Sequence, residues 1–152
     1  MLVFLHVVKK MESPQNNIWG PHLWTILHSL AERKKNSSEE TRLWTGLLSS
    51  LRYSLPCPQC KKHYSDYYTA HPVSDIRTWL YNLHNEVNGR TGKEGIAIDQ
   101  LSDYSKPFHF TYHYSIVHTH MMFALRIGWC NHNDIKRTVR FLNEIKCFYD
   151  LF

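Results

Sequence analysis

The chain has 152 residues, 43% of them hydrophobic and 14% aromatic, so length and composition predict one domain with a substantial core and disfavour a disordered chain. The net charge is +5 with neutral histidines, but the lysines and arginines are scattered in short pairs, which disfavours a nucleic-acid-binding surface. Four cysteines are too few for a disulfide-stapled secreted scaffold.

Residues 1–15 are expected to form a flexible N-terminal extension. Residues 1–8 are apolar, but this run is too short to span a membrane. It also lacks the leading positive charge and the small-residue cleavage site of a secretory signal. We therefore expect neither a membrane anchor nor a secretory signal here.

Apolar residues recur at helical spacing through the first part of the chain. Gly20-Pro21 is expected to open the first helix, with Trp19 stapling its entry from outside, and serines after a polar linker are good caps for the second. Ser74 or Asp75 is expected to cap the fourth helix, which should end before Gly89. The four helices are predicted at residues 20–31, 38–55, 58–70 and 76–88.

The C-terminal segment gives a weaker pattern. Aromatic and aliphatic residues alternate with polar ones between Phe108 and Ile116, which is typical of a strand. A lone strand has nothing to pair with, so a helix is the alternative. A last helix, capped by Asn133 or Asp134, is expected to reach Cys147.

A Cys-x-x-Cys pair, Cys57 and Cys60, lies at the predicted start of the third helix, where Pro58 is tolerated. The unpaired amides of the helix start, with Lys61 and Lys62 nearby, are expected to lower the pKa of at least one cysteine.

Three interpretations of this pair compete. A thioredoxin-type site is disfavoured because a leucine-rich helix, not a strand, precedes the pair. A zinc site would need His63 together with Cys130 or His132, which lack the spacing of a second ligand pair. A redox pair needs an electron acceptor, and flat and polar side chains of the types that bind a planar cofactor lie on the first and fourth helices. These are Trp24, His28, Tyr81, His84 and Asn88.

Three segments together resemble the signatures of one family. They are residues 19–28 (WGPHLWTILH), 56–60 (PCPQC) and 84–88 (HNEVN). In order and spacing they resemble the Erv/ALR family of FAD-linked sulfhydryl oxidases over residues 16–105. The compact form, without a fused thioredoxin domain, resembles those of large cytoplasmic DNA viruses and the short cellular enzymes.

The resemblance implies an all-α fold, a four-helix bundle with a short fifth helix that holds FAD, usually as a homodimer. It implies that Cys57 and Cys60 are catalytic, with Cys60 against the flavin and Cys57 meeting incoming thiols. By motif matching, the cofactor-binding residues are Trp19, Gly20, His22, Trp24, His28, Cys60, Tyr81, His84, Asn85, Val87, Asn88, Lys93 and Tyr104.

The implied activity is disulfide formation in proteins. Electrons would pass from substrate thiols through the cysteine pair to FAD and then to molecular oxygen, giving hydrogen peroxide. The expected partner is a Cys-x-x-Cys relay protein or a thioredoxin-like protein. The expected location is intracellular: host cytoplasm or virion for a viral protein, otherwise the mitochondrial intermembrane space. The alternative is a non-catalytic zinc-binding interaction module.

The chain departs from the family pattern in two places. Asp75 and Ile98 occupy the positions of a disulfide that many members carry, so packing must replace that bond. Cys130 and Cys147 lie outside the matched region, and we expect buried free thiols or a structural bridge, with a relay as the alternative. Residues 106–152 have no counterpart and are expected to be a helical or aromatic C-terminal extension packed on the domain or at an interface. His109 and His113 in it are four residues apart, which suits a metal only on a helix.

Overall fold

Residues 12–152 are described by a computed structural model, and within them the chain is all-α, as predicted. The described residues form six α-helices and one 3-10 helix and contain no strand. Residues 1–11 of the predicted flexible extension lie outside the described residues. The helices are α1 (Asn16–Glu32), α2 (Ser38–Ser54), α3 (Pro58–Ala70), α4 (Ile76–Arg90), the 3-10 helix (Ile98–Ser105), α5 (Phe110–Arg126) and α6 (His132–Phe148).

Side chains cap four of these helices at their first turns. Ser37 accepts from the amide of Glu40 at the start of α2, and Asp75 accepts from the amide of Thr78 at the start of α4. Cys57 is the N-cap of α3 and accepts from the amide of Cys60. These acceptors satisfy amides that have no partner inside the helix, so the caps fix where each helix begins.

The first helix begins four residues before the predicted Gly20, and Pro21 lies inside it. The carbonyl of Gln15 accepts hydrogen bonds from the amides of Ile18 (2.9 Å) and Trp19 (3.1 Å), so a complete turn forms ahead of the proline. Pro21 is the sixth residue of α1 and has no amide N–H, so the usual helical hydrogen bond to the carbonyl of Asn17 cannot form. Trp19 is consequently a buried residue of α1 and not a staple outside it.

The strand predicted across Phe108–Ile116 is wrong, because α5 covers most of it. The apolar residues that are buried in α5 follow a helical period: Phe110, Val117, Met121 and Ala124. The alternation was misleading because it counted side chains such as Tyr112, which is 52% exposed. Contacts with another helix therefore override the local β propensity.

The fourth and last helices differ slightly from their predicted limits. Helix α4 includes Gly89, around which nothing lies within 4 Å of an added Cβ, so the glycine does not end the helix. Helix α6 is capped by Asn131, whose side-chain oxygen accepts from the amide of Asp134 at 2.9 Å, and not by Asn133 or Asp134.

Helix α2 packs against α3 on one side and along α6 on another, while α1 packs against α4, α5 and the 3-10 helix. The C-terminal helices thus cover faces of α1 and α2, and their buried residues belong to the same hydrophobic core. The division into residues 16–105 and 106–152 stays a prediction. Fully buried core residues include Trp44, Phe110, Ile26, Leu30, Leu47, Leu80, Met121 and Leu142.

A buried polar network also joins the C-terminal end of α6 to α2. The Tyr149 hydroxyl donates to the carboxylate of Glu40, which is fully buried, and accepts from the Trp44 indole at 3.1 Å. Glu40 also accepts from the amide of Lys35 at 2.7 Å. Because a buried carboxylate without donors is costly, this network makes the packing of α6 on α2 specific.

Both cysteines of the C-terminal segment are free thiols. Cys130 is buried, as expected, and its sulfur contacts the carbonyls of Leu55 (3.4 Å) and Ser54 (3.8 Å). Cys147 is exposed, so the expectation that both thiols are buried is wrong for it, and so is the alternative of a bridge between the two.

Among residues 12–152, no helix combines the length and apolar character needed to cross a bilayer.

Candidate functional site

A cavity of about 910 Å³ opens between α1, α3, α4 and the segment that carries the 3-10 helix. This volume lies within the range of small-molecule and cofactor sites, about 300–1,000 Å³. Nine of the predicted cofactor-binding residues line it: Trp19, Gly20, Trp24, Cys60, His84, Val87, Asn88, Lys93 and Tyr104.

The other four predicted cofactor-binding residues are not part of the wall. His28 is buried behind it, and Tyr81 is half-buried on α4. Asn85 clamps the chain that leads into the 3-10 helix, because its side chain donates to the carbonyl of Ile96 (3.1 Å) and accepts from the same residue's amide (2.7 Å). His22 is turned towards α5, where its Nδ1 lies 2.8 Å from that of His113.

Flat side chains form a continuous stack at one wall of the cavity. The rings of Trp24 and His84 are 4.0 Å apart and inclined by only 4°. His28 stacks behind them, 5.1 Å from His84 and 4.8 Å from Tyr104. A wall of parallel rings matches a planar heteroaromatic ligand, which gains from stacking and from burial of apolar area.

The two histidines of this stack are hydrogen-bonded to each other, Nε2 of His28 to Nδ1 of His84 at 2.9 Å. Burial, together with the charges of His84 and Arg77, lowers the pKa of His28 to about 3. Burial and the charge of Lys93 lower the pKa of His84 to about 4. Both rings are therefore neutral at pH 7, with one donating its N–H to the other.

The cysteine pair bridges the cavity and the outer surface. Cys60 is in the cavity wall, whereas Cys57 is half-buried at the N-cap of α3 and is not part of that wall. The amide of Cys60 donates to the sulfur of Cys57 at 3.2 Å, and both thiols are free. Cys60 thus lines the cavity, whereas Cys57 lies outside it.

Burial, and then the hydrogen bond and charge of Cys57, raise the pKa of the Cys60 thiol to about 12. The helix start and the neighbouring lysines were expected to lower the pKa of at least one cysteine, and at Cys60 the pKa is raised instead. The reason is that desolvation in the cavity wall outweighs the favourable helix dipole there. Cys60 in the reduced pair consequently keeps its proton at neutral pH.

Two cationic side chains also line the cavity. Lys93, which was predicted, and Arg90, which was not, both line it, and Arg90 is also paired with Glu86 at 2.7 Å. Arg90 follows His84 and Val87 at spacings of three, so helical periodicity could have placed it on the same face of α4. Two cations beside a wall of stacked rings fit a planar group that carries phosphates.

Sequence reasoning also missed apolar and polar residues of the wall. Leu51 of α2, Leu55 just after it and Tyr64 of α3 line the cavity, and none of them was predicted as a site residue. Asn16 also lines it. No motif indicates this residue, because it precedes the first predicted helix.

Within the described ranges, no group of three or more His, Cys, Asp or Glu side chains is arranged to hold a metal ion. The zinc site predicted as the alternative, with His63 and either Cys130 or His132, has no support from this arrangement. His113 is helical, but its recorded partner is His22.

Comparison with known proteins identifies related sequences. The family model described as "Erv1 / Alr family" matches residues 21–107. A probable FAD-linked sulfhydryl oxidase of Acanthamoeba polyphaga mimivirus is 34% identical over 86 residues, which cover 50% of this chain and 60% of that protein.

An FAD-linked sulfhydryl oxidase of African swine fever virus (isolate Pig/Kenya/KEN-50/1950) is 32% identical over 87 residues, covering 52% of this chain and 72% of that protein. A putative FAD-linked sulfhydryl oxidase of Invertebrate iridescent virus 3 is 27% identical over 101 residues, covering 60% and 68%. The chain thus spans less than two thirds of the mimivirus protein. No solved structure gives a significant match.

Proposed function

This chain belongs to the Erv1/Alr family, and from that premise we propose that it is an FAD-linked sulfhydryl oxidase that forms disulfide bonds in polypeptides. The observation that carries the proposal is the position of Cys60 in the wall of a cavity that stacked aromatic rings also line. The relatives named as FAD-linked sulfhydryl oxidases support it.

The residues of the cavity suit FAD. Trp24, His84 and Tyr104 offer flat surfaces to the ring systems, and Arg90 and Lys93 offer positive charge to the phosphates. Because His28 and His84 are neutral at pH 7, they can stack and donate hydrogen bonds without repelling those cations. FAD, when bound, supplies a two-electron acceptor beside Cys60 that molecular oxygen can reoxidise.

The cysteine pair would carry out thiol–disulfide exchange. A substrate thiolate attacks the sulfur of Cys57 in the Cys57–Cys60 disulfide, and the bond between the two breaks as Cys60 leaves. A second substrate thiol then attacks the mixed disulfide, so the substrate gains an S–S bond and the pair holds two electrons and two protons. Cys57 suits the attacked position because it lies at the N-cap of α3, outside the cavity wall, and Cys60 suits transfer to the cofactor because it lines the cavity.

The proposal extends to the partners. The electron pair would end on molecular oxygen, giving hydrogen peroxide, and the substrates would be thiol-bearing polypeptides such as a Cys-x-x-Cys relay or a thioredoxin-like protein. A homodimer, with the C-terminal helices at or near the interface, is part of the proposal. The viral relatives favour an intracellular site of action, where ordinary oxidising machinery is missing.

The proposal is tested on the purified protein and its Cys60→Ser variant. Bound flavin is expected to give an absorption band at about 450 nm, and dithiothreitol should drive oxygen consumption with formation of hydrogen peroxide. Cys60→Ser should stay folded and yellow but lose turnover, because the thiol that faces the cofactor is gone. Cys147→Ser, which changes an exposed thiol on α6, is the matched control and should keep full activity.

Oxygen consumption by Cys60→Ser at the wild-type rate would contradict the assigned path. Stoichiometric zinc without flavin would instead favour the non-catalytic interaction module.

A further inference from the structure

The sulfur of Cys57 receives a hydrogen bond from outside its own helix. The side-chain amide nitrogen of Asn16, the first residue of α1, lies 3.6 Å from Cys57 Sγ. The backbone amide of Cys60 lies 3.2 Å from the same sulfur. Two N–H donors from different helices thus converge on one sulfur atom.

The orientation of the Asn16 side chain follows from its other partner. Its Oδ1 accepts the indole N–H of Trp19 at 3.0 Å, and an indole nitrogen can only donate. Oδ1 must therefore face Trp19, and the NH2 group must face Cys57. Because Trp19 is buried, it holds the amide in this orientation.

The start of α1 is itself held in place by the C-terminal segment. The backbone amide of Gln15, the N-cap residue, donates to Nδ1 of His120 on α5 at 3.0 Å. Asn16 thus follows a residue whose main chain is tied to another helix. A side chain on such an anchored first turn can contribute a defined hydrogen bond.

We propose that Asn16 is a positioning residue for the redox pair, whose amide N–H stabilises negative charge on the sulfur of Cys57. A sulfur accepts hydrogen bonds weakly as a thiol and more strongly as a thiolate, since charge-assisted bonds are the stronger ones. The amide thereby favours the form of Cys57 that acts as a nucleophile when the Cys57–Cys60 disulfide forms again.

The protonation of Cys60 is compatible with this role. Burial raises the pKa of the Cys60 thiol to about 12, so Cys60 keeps its proton in the reduced pair. The titratable groups around the cysteine pair include Arg90 on α4, Lys61 on α3 and Cys130, which lies before α6. Lys61 donates its amine hydrogen to the carbonyl of Trp129 and not to Cys57. Among residues 12–152, Asn16 is therefore the residue whose side chain donates an N–H to the sulfur of Cys57.

The test uses two variants that separate the donor from the fold. Asn16→Asp keeps an oxygen for the Trp19 indole but replaces the N–H donor by a negative charge. Asn16→Leu removes both. Asn143→Asp, which changes an exposed asparagine in the middle of α6, controls for the added charge.

The measurement is the rate at which iodoacetamide alkylates Cys57 in the reduced protein, followed by tandem mass spectrometry as a function of pH. A hydrogen bond of about 1 kcal/mol changes the thiolate fraction about fivefold. Each remaining thiolate becomes about twofold more nucleophilic, so the rate at neutral pH should fall about twofold to threefold. The rate profile of both Asn16 variants should move to higher pH, and Asn143→Asp should keep the wild-type profile.

Wild-type alkylation profiles for both Asn16 variants would overturn the proposal. So would a loss of thermal stability in Asn16→Asp with no change in the profile, because that result assigns Asn16 a structural role only. The catalytic consequence rests on the proposed sulfhydryl oxidase function, but alkylation needs neither FAD nor oxygen. Failure of the oxidase proposal would appear as missing flavin and missing oxygen consumption, with the alkylation result independent of both.

Discussion

The buried pair His28 and His84 should make the stability of this protein strongly dependent on pH. Both side chains are nearly inaccessible, and their pKa values fall from 6.5 in the ordinary histidine to about 3 and about 4 in the folded protein. Between pH 6.5 and pH 4 the unfolded chain therefore binds protons that the folded chain does not. Stability rises with pH in that window and is lost as the pH falls through it.

The expected size follows from the two pKa shifts. Lowering the pH from 7 to 5 should remove about 2 kcal/mol of unfolding free energy for each histidine, and about 4 kcal/mol for the pair. His28→Asn should lose about half of this pH dependence, because one buried titrating group is gone and His84 is still desolvated. His28 suits the test because it lies behind the cavity wall.

The assay is urea unfolding followed by far-ultraviolet circular dichroism, at pH 7 and at pH 5, with the flavin content matched. Other groups that titrate in this range contribute equally to both proteins, so the difference between wild type and variant isolates His28. His132→Gln, which removes an exposed histidine at the first position of α6, is the control and should keep the wild-type dependence. The reasoning is refuted if His28→Asn loses as much stability between the two pH values as the wild type does.

Two further predictions concern the packing of α6 on α2. Gly46→Ala should lower the unfolding free energy by about 1–2 kcal/mol despite the better helix propensity of alanine, because the new Cβ would overlap the ring of Phe141. Gly89→Ala, which has open space around the new Cβ, should instead raise the unfolding free energy by about 0.5–1 kcal/mol. Equal shifts of the two variants in thermal unfolding would contradict the packing of Phe141 on Gly46. Tyr149→Phe should lower the unfolding free energy by about 1–3 kcal/mol, because Glu40 loses a hydrogen-bond donor and the Trp44 indole loses an acceptor. Tyr53→Phe, at a site that is 45% exposed, should change the unfolding free energy by less than about 0.5 kcal/mol. Equal urea midpoints for the two variants would count against the network.

The helices of the first two thirds of the chain are encoded locally. Apolar residues at spacings of three and four give the faces that α1 to α4 bury. Pro58 after Cys57 and Asp75 before Ile76 mark helix starts because they suit the unpaired amides of a first turn. The three family signatures added the cofactor, which no periodicity could have supplied.

The C-terminal segment was predicted less well, for a physical reason. Alternating aromatics near Phe108 satisfy the pattern of a strand, and only the available neighbour decides between strand and helix. The apolar face of α1 offers a helix-packing surface, so Val117 and Met121 are buried there at helical spacing. The exposure of Cys147 and the burial of Cys130 are likewise set by which face of each element meets α2 and α3.

The sequence by itself determined the helical class, the helix start at the cysteine pair and the family, because these depend on residue types at short, fixed spacings. Only the tertiary structure decided that Cys60 is desolvated in a cavity wall, that His22 turns to α5, and that Asn16 reaches Cys57 across 41 positions of sequence. Desolvation and long-range hydrogen bonds depend on what other segments bring to a residue, and that is fixed only when the helices pack.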